Sequence, residues 1–260
     1  MRDIVYAIKQ PEHMVFDLVS TLLDTYGEQE GEALNCHYQA HGCHPLLFFD
    51  GITRDLLKAQ LRDETHSFSR DADQFMVPLL QEYRTKHLSL CLRGDSGFAS
   101  PGLYKSCEDN DCKYAIRLKT NKMLLALAED KADDLHRATK DNMVDYAATY
   151  GEFECQAGSW PYPRRVAFKI EKPANQMVFM YTFVVTAMES EPYQVIRFYC
   201  RRGKMENFRI GTVRLKLLKI VARVIHSARY TTFKLCSSSP YKSEFFETLQ
   251  NIRQLQLQLK

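Results

Sequence analysis

Asp17, Asp95 and Glu206 are the side chains of this 260-residue chain whose types and settings could do chemistry together. Asp95 stands in "LRGDSGF", where an apolar run ends in a turn. In α/β sheets that edge is where ligands and catalytic groups collect. Asp17 interrupts the apolar run "HMVFDLVST" (13–21), and an acid inside a buried strand is costly unless it is paired or holds a metal. Glu206 is the one acid among ten Lys and Arg between Arg201 and Lys234. The spacing Y-x2-R-x3-E puts Tyr199, Arg202 and Glu206 on one helix face, a phenol and a guanidinium beside a carboxylate. Two acids on strands and one on a later basic helix are the parts for two-metal phosphoryl transfer on DNA, with Mg²⁺ holding the attacking and leaving oxygens. A plainer account stands beside each. Gly-Asp-Ser-Gly is a good turn former, Asp17 could face water at an edge, and a surface Arg/Glu pair one helical turn apart contributes only about 0.2–0.5 kcal/mol.

Charge sharpens the choice of partner. The segment from Arg201 to Lys234 carries +9 in a chain whose total is +3, so the remainder is acidic. A basic block of that density is either a solvated helix face or a footprint for a polyanion such as nucleic acid. A second cluster, "NCHYQAHGCHP" (35–45), packs Cys36, His37, His41, Cys43 and His44 together. These are zinc-ligand types, but they are all local and match no common structural-zinc spacing. The longest apolar runs, such as "MVFMYTFVV" (177–185), are far shorter than the roughly 20 residues of a membrane span. The first residues, MRDIVYAIKQ, lack a cleavable apolar core. Eight cysteines scattered without a C-x-x-C pair fit reduced thiols. The expectation is a cytoplasmic protein with no membrane partner.

The elements that must position these residues follow from periodicity. "HMVFDLVST" (13–21) and "HPLLFFDGIT" (44–53) read as strands, the second turning at Asp50-Gly51. Residues 75, 76, 79, 80 and 83 are apolar at helical spacing. "HLSLCLRGDSGF" (87–98) is a strand ending at Asp95, "PGLYKSCEDND" a short helix with Pro101 near its start, and "KYAIRLK" (113–119) another strand. This alternation predicts an α/β layer structure. From about 145 to 187 the text turns aromatic and β-branched, broken by Gly and Pro, which predicts an antiparallel β region. Helical spacing resumes over "EPYQVIRFYCRRGKMENF", and the C-terminal "PYKSEFFETLQNIRQLQLQLK" predicts an amphipathic helix.

The chain resembles the DDE transposases of bacterial insertion sequences, the group whose last acid sits in a Y-x2-R-x3-E-x6-K signature. The resemblance rests on "STLLDTYGEQEGEALNCHYQAHGCHPLLFFDGITRDLLKAQLRD", "LRGDSGFASPGLYKSCE", "FVVTAM" followed by "VIRFYCRRGKMENF", and "GTVRLKLLKI". It implies a ribonuclease-H-like core with an antiparallel β region inserted between the second and third acids. The chain then divides into 1–120, the first part of the core; 121–190, the β-rich insertion; and 191–260, the basic helix with the third acid and the tail. It also implies two Mg²⁺ ions, transposon-end DNA as partner, and a homodimer on that DNA. Asp95 matches the second acid and Glu206 the third; Tyr199, Arg202, Lys204 and Asn207 would hold the DNA backbone. The first acid usually stands two residues before the Thr of a D-x-D-S-T segment, where this chain has Val19, leaving Asp17 as the provisional first acid and metal ligand. The signature Lys is replaced by Val213, and the text after Phe208 jumps to what resembles the family's far tail. The resemblance is thus to a shortened, internally deleted copy. Two functions follow from it: metal-dependent DNA cleavage and strand transfer, or a catalytically dead remnant that only binds DNA.

Overall fold

The computed structural model describes residues 12–20, 23–24, 33–35, 40–43, 45–60, 71–140, 144–176, 178–202, 222–226 and 231–235. The chain divides into two compact units, Met1–Arg202 and Gly203–Lys260. In the second, β12 (Ala222–His226) and β13 (Thr231–Leu235) form an antiparallel pair inside the basic segment. The C-terminal helix expected over 240–260 lies outside the described residues.

The first unit is built on one eight-stranded sheet. Its strands are β1 (His13–Ser20), β5 (Leu46–Asp50), β6 (Leu56–Gln60), β7 (Ser89–Gly94), β8 (Cys112–Leu118), β9 (Ala147–Cys155), β10 (Arg164–Lys172) and β11 (Met180–Thr186). Their order is β6-β5-β1-β7-β8-β11-β10-β9. β1, β7 and β8 run parallel, and β5 and β6 on one side and β11, β10 and β9 on the other are antiparallel. A small separate sheet, β2 (Leu23–Asp24), β3 (Ala33–Asn35) and β4 (Ala40–Cys43), precedes β5. The antiparallel strands expected at 145–187 are therefore present, and they extend the main sheet. Helices that the sequence reading did not pick out, α3 (Lys122–Leu127) and α4 (Glu129–Thr139), come before them.

Alternation decides what each face meets. On β1, Met14, Phe16 and Leu18 point to a large core shared with α1 (Ala72–Arg84) and α2 (Pro101–Asp109). Phe16 stacks on Phe48 at 4.8 Å, with Tyr83 of α1 edge-on to it at 5.4 Å. Ser100 caps α2 by accepting from the Leu103 amide, with Pro101 at the first helical position, where its missing N–H costs nothing. The opposite face carries α5 (Pro192–Cys200), whose Val195, Ile196 and Tyr199 pack on Ala115, Ala167 and Val184. Odd-numbered residues of β1 and β7, Asp17 and Arg93 among them, lie on the side away from the large core. Among the described residues no helix is long and apolar enough to cross a membrane.

Candidate functional site

The parallel pairing of β1 and β7 sets Asp17 directly opposite Arg93. Both are buried, and they form a two-pronged ion pair: Arg93 Nε donates to Asp17 Oδ1 and Nη2 to Oδ2, each at 2.7 Å. Planar guanidinium and carboxylate match in this geometry, which makes it the strong form of the interaction. Arg93 has donors left over. Nη1 donates to the Phe198 carbonyl at 3.0 Å, and Nη2 lies 3.5 Å from the Gly51 carbonyl in the turn after β5. Phe198 is in the last turn of α5, where carbonyls lack helical partners and the helix dipole favours a cation. The Phe198 ring also lies under the guanidinium at 5.1 Å. Asp17 therefore does not face water: both its oxygens accept from Arg93.

Asp95 ends β7 one residue beyond Gly94, and it keeps the turn-forming role that its sequence suggests. Its Oδ1 accepts from the Gly97 amide at 2.9 Å and caps the single 3-10 turn Ser96–Phe98. Its side chain is 38% exposed, against 0% for Asp17. The β1–β7 register ends at Leu18 opposite Gly94, so the next step puts Val19 beside Asp95. Val19, an apolar residue, is the next residue of β1 at that end. Arg202 approaches instead: its Nη2 donates to the Leu18 carbonyl at 3.1 Å and to Asp95 Oδ2 at 3.4 Å.

The remaining expected site residues divide in two. Tyr199 and Arg202, expected on DNA, are 9% and 2% exposed. Tyr199 sits in the contact between α5 and the sheet. Lys204, Glu206 and Asn207 lie outside the described residues, and so do Cys36, His37 and His44 of the zinc-type cluster. His41 and Cys43 fall on β4, opposite Leu34 and Leu23. Among the described residues no three His, Cys, Asp or Glu gather as a metal cluster. Among the described residues Asp95 is a partly exposed carboxylate one residue past the end of the central parallel strand β7. Mg²⁺ is commonly held by one or two carboxylates with substrate phosphates and water, so Asp95 fits as one ligand of such a cation, whereas a two-metal set needs more acids than these.

A family model, the transposase DDE domain group 1, matches the chain over residues 1–209 and again over 208–257. The chain belongs to this DDE transposase family. Among solved structures it is similar to the piggyBac transposase in a synaptic complex with hairpin DNA, at 14% identity and a TM-score of 0.44. That match covers 77% of this chain and 40% of the other, so this DDE-family chain spans about two fifths of the piggyBac transposase's length. It is similar at 12% identity and a TM-score of 0.26 to a chain of the simian T-cell lymphotropic virus intasome in complex with PP2A regulatory subunit B56 gamma, over 70% of this chain and 83% of that one. No curated protein matches it.

Sequence reasoning about this transposase-family chain missed Arg93, although a signal was available. One charge sits in each of two apolar strands, Asp17 in "MVFDLV" and Arg93 in "LSLCLRG", and two such opposite charges in one sheet are best explained as each other's partner. Gly51 was read only as part of a turn. A Cβ there would lie 2.5 Å from Arg93 Nη2 and 2.9 Å from Asp17 Oδ2, so the glycine is what lets the turn close over the ion pair.

A second set of ionisable groups gathers where β10 meets α2. Arg164, 3% exposed, donates to Glu108 and, at 2.7 Å, to the Tyr114 hydroxyl, which in turn donates to Glu108 at 2.9 Å. Tyr162 also donates to Glu108. Burial pushes the Glu108 carboxyl up, but the hydrogen bonds from Arg164, Tyr162 and Tyr114 outweigh it and hold the group below the usual carboxylate value. An open groove of about 610 Å³, with Pro101, Lys105, Pro161 and Tyr162 in its walls, lies over this cluster.

Proposed function

We propose that the chain is the catalytic core of a transposase that cleaves and joins transposon-end DNA by Mg²⁺-dependent phosphoryl transfer, with Asp95 and Glu206 as its acids. The observation that carries this reading is the place of Asp95. It stands partly exposed at the carboxyl end of a central parallel strand, beside a β1 that is flanked by one parallel and one antiparallel neighbour. Sites in α/β sheets form at such strand ends, where chain connections diverge. The mixed sheet, with Asp17 on β1 and Asp95 one residue past β7, also supports the ribonuclease-H-like assignment. The family match in two stretches meeting at 208–209 supports an internal segment having been lost after Phe208.

Asp95 would be one of the residues that hold the cation, and the Gly97 amide on its Oδ1 fixes the carboxylate's direction before DNA arrives. Glu206, four residues after Arg202, supplies the second carboxylate. Lys204, Asn207 and the basic segment to Lys234 contact phosphates, positioning DNA without reading its sequence. Mg²⁺ at these acids would polarise the phosphate and activate the attacking water or 3′-hydroxyl. Asp17 serves the fold through Arg93, and Val19 leaves the set one carboxylate short.

That shortage favours a second reading, a remnant that binds DNA but no longer cuts it. Nicking of random-sequence and inverted-repeat duplexes by wild type, Val19→Asp and Asp95→Ala separates the two. The catalytic reading expects Mg²⁺-dependent nicking that rises in Val19→Asp and vanishes in Asp95→Ala. Salt-sensitive binding without nicking in wild type and in Val19→Asp would establish the remnant.

A further inference from the structure

Two buried arginines, Arg93 and Arg202, close a ring of contacts around the strand ends. Asp17 and Leu18 of β1, Arg93 of β7, Asp95 just past it, and Phe198 and Arg202 at the end of α5 are joined by five hydrogen bonds of 2.7–3.4 Å. Each arginine crosses from one element to another. Arg93 carries the charge of Asp17 to the last carbonyls of α5, and Arg202 carries α5 back to Leu18 and Asp95. We propose that Arg93 and Arg202 are positioning residues, a strap that docks the C-terminal turn of α5 on the strand ends and holds Asp95, so that Arg202 acts inside the protein and not on DNA phosphate. This rests on Asp95 being the site's acid.

Three observations carry it. Arg202 is 2% exposed, whereas a cation that grips phosphate must be open to it. Its Nη2 is shared between a backbone carbonyl and a carboxylate; withdrawing it toward DNA would leave the Leu18 carbonyl and a partly buried acid without that donor, a cost no surface phosphate contact carries. Arg93 is fixed so fully by Asp17 that the Phe198 carbonyl meets a stationary donor, which sets where α5 ends relative to β7. Guanidinium suits Arg93 in particular, since its planar fork meets both oxygens of Asp17 and still reaches the Phe198 carbonyl through Nη1.

The full-length Arg202→Gln protein tests the strap, with Arg202→Lys as a second variant should the first fail to fold. Binding to random-sequence duplex DNA is measured against salt, and amide exchange is followed over residues 94–98. The strap predicts that the slope of log affinity against log salt is unchanged, while exchange at Gly97, whose amide rests on Asp95, speeds up about tenfold or more. A slope shallower by about 0.9, with weaker binding, would mean a lost phosphate contact and would overturn the proposal. So would exchange over 94–98 that matches wild type. If DNA is cut, the Arg202→Gln rate should fall roughly a hundredfold with binding unchanged, as for a misplaced catalytic group. If neither wild type nor Val19→Asp cuts DNA with any metal, the catalytic reading fails, and the exchange and salt measurements still decide the strap.

Discussion

The Asp17–Arg93 pair should behave as a unit, and a double-mutant cycle can measure it. Asp17 is completely buried and the Arg93 side chain is 3% exposed, so solvent screens neither. Replacing Arg93 alone with Met strands a buried carboxylate, and replacing Asp17 alone with Leu strands a buried guanidinium. Each should cost about 3–5 kcal/mol, because the uncompensated charge and not the lost attraction dominates. For a unit of this size that is a drop in Tm of roughly 6–20 °C. The Asp17→Leu/Arg93→Met double variant removes both charges from a site that already excludes water, so it should recover most of the loss. A residue of about 1–3 kcal/mol should remain, because the Phe198 carbonyl still lacks the donor that Arg93 supplied. The single tryptophan, Trp160, is buried in the same unit and reports its unfolding by fluorescence in urea. A single variant that stays within about 1 kcal/mol of wild type, or a double that loses the sum of the two singles, would show that the two charges do not depend on each other.

Gly51→Ala should cost about 1–3 kcal/mol in the same assay, since the new methyl meets Arg93 Nη2 at 2.5 Å and the ion pair leaves that nitrogen nowhere to go; Gly158→Ala, with nothing within 4 Å, is the matched control and should be near neutral. Glu108→Gln should destabilise at neutral pH and progressively less in acid. Glu108 is held below its ordinary value of 4.5, so its contribution is complete above that pH and disappears as pH falls through the lower folded value; urea midpoints that keep a constant gap between variant and wild type down to strongly acidic pH would contradict this. Val19→Asp should lower stability by about 1–2 kcal/mol without divalent ions, through like-charge repulsion with Asp95 and loss of a β-branched residue from β1. Mg²⁺ at ten times its dissociation constant should return about 1.4 kcal/mol of that, and a midpoint indifferent to Mg²⁺ would show that the new carboxylate does not share a cation with Asp95.

Much of the scaffold was legible because it depends on local pattern. Alternating apolar residues at 88, 90 and 92 marked β7, and the apolar set 75, 76, 79, 80 and 83 marked α1, all but Leu88 lying within the elements observed. The helices α3 and α4 were overlooked because "LALAEDKADDLHRATK" is mostly polar, with Leu135 and Thr139 the only buried residues of α4. The site was legible in part. Asp95 could be placed because a strand followed by Gly-Asp-Ser-Gly fixes an acid at a strand end from sequence alone. What Asp17 does could not be placed, because its partner is 76 residues away and is determined by the parallel register of β1 on β7. The burial of Arg202 is non-local in the same way, since helical spacing puts it on a face with Tyr199 but says nothing of which way that face turns.

These two kinds of residue also explain how a site can lose an acid while the sheet that carries it persists. Asp17 and Val19 are neighbours on one face of β1, yet the fold asks different things of them. Asp17 balances a buried guanidinium that also holds α5, so its loss would be felt as instability whatever the protein does. Position 19 is half-buried at the strand's end beside Asp95, where an acid would add repulsion that only a bound cation relieves. Valine suits a strand better than aspartate does. Folding therefore opposes change at Asp17 and favours it at Val19, and only DNA chemistry would hold an acid at position 19. A chain under selection for stability alone would keep the ion pair and gain nothing from an acid at position 19, and this chain has the ion pair and a valine.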